Sequence, residues 1–336
     1  QSFLALAIGP VGALLIVRFL IGVGEAAALP NFNRTVANWF APSERGLGIG
    51  VSIGGIGFGS AMTPPLVVWL MIHYGWKSAF YFTGVLGVVV AGLWFWISRD
   101  SPADHPGVNR AELDWIMGGE NQIEPVLLSP KGSFKEVLLS PSVWFLTASY
   151  TMLGYIAYIY LSWFFIYLVN VRHFEVLKGS FLSTAPFLAM ALFCPLGGWL
   201  SDRMVRKYGP IRGQKSVGAS GMFLTSGLIY AGALAVDPYT AILFLSLGAG
   251  ILYSTVGAYW SSTIEISREH SGALSGLMNM GANLGGTLSP ILTPYLGEKY
   301  GWPLALSVAA GAAFLGGLLW LAVGLQDALS PKEPFS

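Results

Sequence analysis

The sequence is poor in charge and contains almost no cysteine. Only 10% of its 336 residues are charged, against about 25% in an average soluble domain, whereas 54% are hydrophobic. The single cysteine, Cys194, excludes a disulfide framework, and its apolar surroundings are typical of a packing residue. The four histidines are far apart in sequence, which argues against a metal site. A net charge of +1 with no basic tract gives no reason to expect nucleic-acid binding.

Motifs of nucleotide-binding enzymes are also missing. No Walker sequence is present, which argues against an ATP-driven pump within this chain. Gly55, Gly57 and Gly59 resemble a broken glycine loop, but they lie inside an apolar run with no preceding strand. We therefore expect no cofactor and no enzymatic activity.

Long apolar runs dominate the sequence instead. Crossing the roughly 30 Å of hydrocarbon in a bilayer takes about 20 helical residues. Runs of this length fall at 11–38, 47–73, 78–98, 143–169, 181–200, 216–236, 239–263, 273–297 and 303–325. They predict an all-α integral membrane protein with nine complete spans.

The last third of the sequence repeats its first quarter in the same direction, 226 residues later. Residues 46–76 align without a gap on residues 272–302. The matched residues are Gly46, Gly50, Gly55, Gly59, Pro64, Leu66, Leu70, Tyr74, Gly75 and Trp76 with Gly272, Gly276, Gly281, Gly285, Pro290, Leu292, Leu296, Tyr300, Gly301 and Trp302. Parallel membrane repeats that enclose a site between them are an architecture of secondary transporters.

The distribution of Lys and Arg predicts the topology. One set of connections carries Arg34, Arg45, Arg99, Arg110, Lys131, Lys135, Arg203, Arg206, Lys207, Arg212, Lys215, Arg268 and Lys332, and the opposite set carries only Lys77, Arg172, Lys178 and Lys299. The positive-inside rule places the first set in the cytoplasm. Residues 99–140 then form a cytoplasmic linker between two bundles, 1–98 and 141–325, and residues 326–336 a cytoplasmic tail.

The beginning of the sequence resembles the end of a helix. Ser2 to Ile8 is apolar, but it reaches Gly9-Pro10 too soon to cross a bilayer. The 226-residue offset places the start of the first half about 85 residues before Gln1, which is room for two spans and most of a third. We therefore expect a truncated twelve-helix protein that retains the end of helix 3, helices 4–6 and a complete C-terminal six-helix bundle. The alternative is a natural chain of nine spans.

Two ionisable residues inside a predicted span are candidates for function, because charge within a membrane is costly. Arg18 and Glu25 are seven residues apart, so they share one helix face about 10 Å apart along the axis, with Gly22 and Gly24 between them. Arginine offers a planar fork that matches a carboxylate, and a glutamate in a low-dielectric site can carry a proton. Snorkelling of Arg18 and a structural ion pair are the alternatives.

Polar and aromatic residues of the second half could contact a ligand. Tyr155 and Tyr158 lie on a hydroxyl-bearing helix face with Thr151 and Ser162, although packing is the more common role of such a stripe. Asn279 and Asn283 are one turn apart, where the first copy of the repeat has Ile53 and Gly57; interhelical hydrogen bonding is the alternative, and for Asn283 the favoured one. Trp260 could stack on a sugar or merely fill space.

The run Gly198 to Gly209, with Asp202, Arg203 and Arg206, resembles the signature cytoplasmic loop of major facilitator transporters. In that loop the acidic and basic residues tie helix ends together and influence opening. The resemblance narrows to the anion:cation symporter family through segments along nearly the whole chain. These segments are Arg18-x-x-x-Gly22-x-x-Glu25 with Pro30, residues 39–46, Tyr74-Gly75-Trp76-x-x-Ala79-Phe80, Asp104-His105-Pro106, Trp163-x-x-x-Tyr167-Leu168, and Gly276-x-x-Asn279 with Gly285-Gly286.

The resemblance implies two six-helix bundles in the full protein and proton-coupled symport of an organic anion, such as a hexuronate or an aldonate. By the same comparison Arg18 binds the anion or couples it, Glu25 is protonated, and Asn279 and, less closely, Trp260 contact substrate. An anion exchanger or uniporter without proton coupling is the alternative. We expect a multi-pass monomer of the inner (plasma) membrane that contacts lipid, with a cytoplasmic C-terminus.

Overall fold

The computed structural model describes residues 2–26, 28–41, 44–117, 134–267 and 270–324, and regular structure in these residues is helical. The helices are α1 (Ser2–Glu25, interrupted at Gly9, whose φ of 81° is not helical), α2 (Ala28–Trp39), α3 (Arg45–Tyr74), α4 (Trp76–Ile97), α5 (Arg110–Met117), α6 (Phe134–Leu139), α7 (Pro141–Ser162), α8 (Phe164–Ile166), α9 (Val176–Leu182), α10 (Ala185–Tyr208), α11 (Pro210–Leu234), α12 (Pro238–Ser254), α13 (Val256–Ile266), α14 (Ser271–Tyr300) and α15 (Trp302–Ala322). A short 3-10 turn (Pro102–Asp104) and a π-helical segment (Tyr167–Val171) complete the regular structure.

The sequence repeat is a structural repeat. Helices α3 and α14 are both 30 residues long, and their first and last residues are 226 positions apart. Each ends at a glycine with a positive φ, Gly75 at 80° and Gly301 at 94°, before the next helix begins at a tryptophan. A residue with a Cβ is strained in that conformation, so these two glycines permit the sharp junctions.

Six helical segments of the described residues are long and apolar enough to cross a membrane, and a seventh is added if the bent pair of α7 with residues 164–171 counts as one span. The predicted number of nine complete spans is therefore not confirmed. Each predicted run does coincide with helix, but two runs, 11–38 and 273–297, are not among these segments.

The run 11–38 was predicted as one span, and the structure corrects this. Helix α1 ends at Glu25, and α2 begins at Ala28. Pro30 lies in the first turn of α2 and has no backbone N–H, so a helix continuing from α1 would lose one hydrogen bond of its ladder at this position. The break places Glu25 at a helix end rather than in mid-helix.

Two tight helix contacts organise the molecule. Helix α3 of the first half packs on α10 of the second, where glycines let the backbones approach: a Cβ on Gly50 would lie 2.5 Å from the carbonyl oxygen of Cys194. Within the second half α7 packs on α14, and a Cβ on Gly285 would meet the carbonyl oxygen of Thr151. Small residues at such contacts are typical of membrane helix packing.

The first half, α1–α4, and the second half, α7–α15, meet along α3 and α10, and one end of this contact carries the polar groups described below. At that end α2, α10 and α13 finish, and α3 and α14 begin. We call it the inner end, because the charge distribution predicts that it faces the cytoplasm. The predicted linker 99–140 is described only in part, since residues 118–133 lie outside the described residues, as does the tail 326–336.

Candidate functional site

Arg18 and Glu25 lie on the last two turns of α1, and both side chains are exposed. Among the described residues neither makes a hydrogen bond or an ion pair, so the structural ion pair between them is not formed. A Cβ added at Gly22 or Gly24 would meet no atom within 4 Å. From Leu14 to Ala26 every residue except Val17 is exposed, so α1 is open along this whole stretch and not only beside the two charged groups.

Tyr155 and Tyr158 both reach from α7 to α14. The Tyr155 hydroxyl lies 3.2 Å from the Thr293 hydroxyl, and the Tyr158 hydroxyl donates to Asn283 Oδ1 at 3.2 Å. Tyr155 is buried, whereas Tyr158 is half-buried. Tyr155 and Tyr158 thus lie on the same face of α7. Their hydroxyls bond to the neighbouring helix α14 of the same half, which is typical of residues that pack two helices together.

Asn279 lies one turn before Asn283 on α14 and is half-buried. The Asn283 amide donates to the backbone carbonyl of Asn279 at 2.9 Å, so Asn283 is committed to contacts within its own half. The side-chain amide of Asn279 has no hydrogen-bond partner in the described part of the chain. It has the donors and the acceptor needed to bind a hydroxylated ligand.

Trp260 lies on α13 and is buried, with 2% of its surface exposed. Its indole N–H donates to the Tyr150 hydroxyl at 2.9 Å, and its ring contacts the Tyr150 ring edge-to-face. On the side of the first half Trp260 lines a cavity of about 10 Å³ together with Asn33 and Ile49. That volume holds about one water molecule, so no sugar ring can stack on Trp260 in this state.

Asp202, near the end of α10, closes the inner end of the interface between the halves. Its half-buried carboxylate accepts hydrogen bonds from the backbone N–H groups of Gly46 at 3.2 Å and Leu47 at 3.0 Å. These N–H groups belong to the first turn of α3, where they have no acceptor within the helix and where the helix dipole favours negative charge. Gly46 suits the contact, because a Cβ there would collide with the carboxylate.

The basic residues after Asp202 remain at the surface. The Arg203 guanidinium lies 5.5 Å from the centre of the Trp199 ring, and Arg206 is exposed one turn further on. Neither forms an ion pair with Asp202 within the described ranges. Both guanidinium-bearing side chains are exposed at the inner end.

Sequence reasoning missed a second polar contact between the halves. The Asn33 amide of α2 donates to the Ser275 hydroxyl of α14 at 3.2 Å, and Ser275 also lies 2.9 Å from the Thr263 hydroxyl. All three residues are buried. The only signal in the sequence is an asparagine within the short amphipathic helix α2, and that signal does not identify a partner 242 residues away.

The predicted site residues thus form separate groups in this state. Tyr158, Asn283 and Asn279 share one patch of the second half, whereas Trp260 lies at the interface near the inner end. No hydrogen bond or ion pair of the described residues joins these groups to Arg18 or Glu25. Among the described residues, no group of three or more His, Cys, Asp or Glu side chains lies close enough together to hold a metal ion.

Comparison with known proteins provides the family context for this geometry. The sequence profile of the Major Facilitator Superfamily matches residues 2–280. A probable galactarate/D-glucarate transporter of Escherichia coli is 30% identical in an alignment of 286 positions that covers 81% of this chain and 62% of that protein. A chloroplastic ascorbate transporter of Arabidopsis thaliana is 29% identical over 308 residues, which are 91% of this chain and 56% of that protein.

A solved structure shares the fold. The crystal structure of a bacterial homologue of the human lysosomal transporter Spinster, in an inward-facing and unoccupied conformation, has a TM-score of 0.60 and 17% sequence identity. The match covers 92% of this chain and 78% of that one. The chain spans little more than half the length of the first curated relatives that it matches.

Proposed function

This chain belongs to the major facilitator superfamily, and on that premise we propose that it is part of a secondary transporter that carries an organic anion, specifically a sugar acid such as a hexuronate or an aldonate, together with a proton. Relatives named as transporters of galactarate and D-glucarate, of ascorbate and of hexuronate support this substrate class. A superfamily of carriers also gives no reason to expect an enzyme.

The observation that carries the proposal is the arrangement on α1. Arg18 and Glu25 are exposed on one helix beside the open space at Gly22 and Gly24. In the proposed mechanism the Arg18 guanidinium binds the carboxylate of the substrate, because its planar fork pairs with both carboxylate oxygens. Glu25, whose side chain has no partner among the described residues, takes up a proton on one side and releases it on the other.

In this proposal, polar and aromatic groups of the second half bind the hydroxyls of the substrate. The side-chain amide of Asn279 has no hydrogen-bond partner among the described residues, so it can bind a substrate hydroxyl. Tyr158 lies nearby, because its hydroxyl donates to Asn283, whose amide donates to the carbonyl of Asn279. Tyr155 and Trp260 complete the set that we propose, but both are buried here, and their polar atoms bond other side chains of the same half. They reach a substrate only if the halves move apart.

Alternating access is part of the same proposal. We propose that residues 1–98 and 141–325 move as two bundles joined by the linker 99–140, and that Asp202, Arg203 and Arg206 control opening at the cytoplasmic side. The full protein would contain twelve spans, of which this chain holds nine and the end of a tenth. We further propose a monomer surrounded by the lipid of the inner membrane, with its C-terminus in the cytoplasm.

The second candidate is an anion exchanger or uniporter without proton coupling. It is favoured by the lack of any contact between Arg18 and Glu25, because an arginine that binds the anion without a titrating partner suffices for exchange. Proton movement distinguishes the two functions.

The test measures internal pH in proteoliposomes that contain the full-length protein. Adding galactarate, or a hexuronate, outside should acidify the lumen, and Glu25→Gln should abolish the acidification while exchange of labelled anion persists. Glu298→Gln, which removes an exposed glutamate of α14, is the matched control and should behave like the unmodified protein. Entry of labelled anion without any pH change in the unmodified protein would contradict proton coupling and favour the exchanger or uniporter.

A further inference from the structure

Asn33 combines deep burial with incomplete hydrogen bonding. Its side chain is 8% exposed, and it lies on α2, where the first half meets α14 of the second. Its amide nitrogen donates to Ser275, whereas its amide oxygen is buried and accepts no hydrogen bond from the described residues. Turning the amide by 180° would exchange the two atoms and leave the other one unpartnered. One polar atom of Asn33 therefore lacks a protein partner in either orientation.

A cavity adjoins this side chain at the interface. Its volume is about 10 Å³, and its lining includes Asn33 and Ser52 among apolar groups such as Ile49 and Ile53. The Ser52 hydroxyl donates to the Gly48 carbonyl at 2.9 Å, so the oxygen of Ser52 remains able to accept. A buried polar atom without a partner is costly, and a cavity of this size with two polar groups suits one water molecule.

The hydrogen bonds around Asn33 also join the two halves. Two polar side-chain contacts between α1–α4 and α7–α15 are the Asn33–Ser275 bond and the bonds of Asp202 to the start of α3. Ser275 is anchored in turn by Thr263, whose hydroxyl donates to the carbonyl of Trp260 at 2.7 Å. The Asn33 contact thus connects the interface to the backbone that carries Trp260.

We infer that the cavity beside Asn33 binds one water molecule, bridging Asn33 and Ser52, and that this hydrated Asn33–Ser275 contact holds the two halves together at the inner end. Asn33 is then a positioning residue: it acts through the closed interface. The consequence for transport rests on the proposed function, but the water site and the closure do not, because both can be measured without a substrate.

The closure is tested by the reactivity of a buried thiol. Ile49→Cys, in a Cys194→Ala background, places the only thiol of the sequence in the lining of the cavity, and Ile49 is 4% exposed. A maleimide should label it only when the inner end opens. One net hydrogen bond corresponds to roughly a fivefold change in an equilibrium constant, so Asn33→Ala and Ser275→Ala should each raise the labelling rate about fivefold.

The double variant and a control complete the test. Asn33→Ala with Ser275→Ala should label no faster than the faster single variant, because both remove the same bond. Asn38→Ala, which removes an amide of α2 that bonds to the carbonyl of Asp100 in the linker and not to the second half, should leave the rate unchanged. Single variants that label at the original rate, or a double variant whose effect is the product of the two, would overturn the inference.

The water is tested by an experimental structure that resolves ordered solvent. A density peak about 2.7–3.2 Å from both the Asn33 amide and the Ser52 hydroxyl is the expected result, and Ser52→Ala should weaken or remove it. A cavity that is dry in the unmodified protein, or closed by a side chain, would overturn the water site. Because neither measurement needs a substrate, failure here is distinguishable from failure of the proton-coupled transport assay.

Discussion

At the scale of single residues, Asn279 has the side chain of the second half best suited to bind a substrate hydroxyl. Its amide has no partner in the described part of the chain, whereas that of Asn283 is bonded to Asn279 and to Tyr158. We predict that Asn279→Ala raises the KM for a transported sugar acid about fivefold, the equivalent of one net hydrogen bond, with little change in maximal rate. Uptake of labelled anion as a function of its concentration measures both quantities.

Asn283→Ala separates substrate binding from packing at the same place. It removes an amide of equal size whose bonds are internal, so we expect a loss of stability rather than a change in KM. A KM that rises in Asn283→Ala but not in Asn279→Ala would show that the roles of the two asparagines are reversed.

At this scale the sequence predicts which residues share one face of a helix. It does not predict which residues of other helices they contact. The helical period places Tyr155 and Tyr158 on one side of α7, and the structure agrees. Their partners Thr293 and Asn283 are 138 and 125 residues further along the chain, and nothing in a local pattern identifies a contact at such a distance. For the same reason Asn33 was not recognised.

At the scale of helices, the contact between α7 and α14 depends on glycine. A Cβ on Gly285 would meet the backbone oxygen of Thr151, which cannot move without displacing α7. Overpacking of this kind costs about 1–3 kcal/mol, so Gly285→Ala should lower the thermal unfolding temperature by several degrees. Fluorescence-monitored unfolding in detergent measures the shift.

Gly276 provides the control on the same helix. A Cβ there would meet no atom within 4 Å, so Gly276→Ala should leave the unfolding temperature unchanged or raise it slightly, since alanine favours helix more than glycine does. Equal losses in the two variants would mean that helix propensity or a general intolerance, and not the approach to α7, explains the result.

Periodicity and repeat predicted helices well but not their interruptions. The 226-residue offset predicted that α3 and α14 correspond, and their first and last residues do so. The apolar run 11–38 continues across residues 26 and 27, so hydrophobicity alone could not indicate that α1 ends at Glu25. Pro30 was the available signal, because a proline removes one hydrogen bond of the helix ladder, but α3 continues through Pro64 and Pro65, so a proline alone does not identify a break.

At the scale of the whole molecule, two polar contacts between the halves lie at the inner end. Asn33 meets Ser275 there, and Asp202 meets the start of α3. The family resemblance predicted that the loop around Asp202 ties helix ends together, and the structure identifies the end that it holds. Both contacts must break if the halves separate at this end, so their combined strength opposes opening there.

Neutralising Asp202 should therefore open the inner end. Asp202→Asn retains one acceptor oxygen but replaces the other with an NH2 group, a donor that would face a backbone N–H. Hydrogen bonds to charged groups contribute about 1.5–3 kcal/mol to stability, so this loss is substantial. We expect labelling of the thiol introduced by Ile49→Cys to accelerate at least tenfold. Asp237→Asn is the control. Asp237 caps α12 within the second half by accepting from the N–H of Thr240 at 2.7 Å, so this substitution should leave the labelling rate unchanged. If Asp202→Asn labels at the unmodified rate, apolar packing of α3 on α10 closes the molecule and the carboxylate does not.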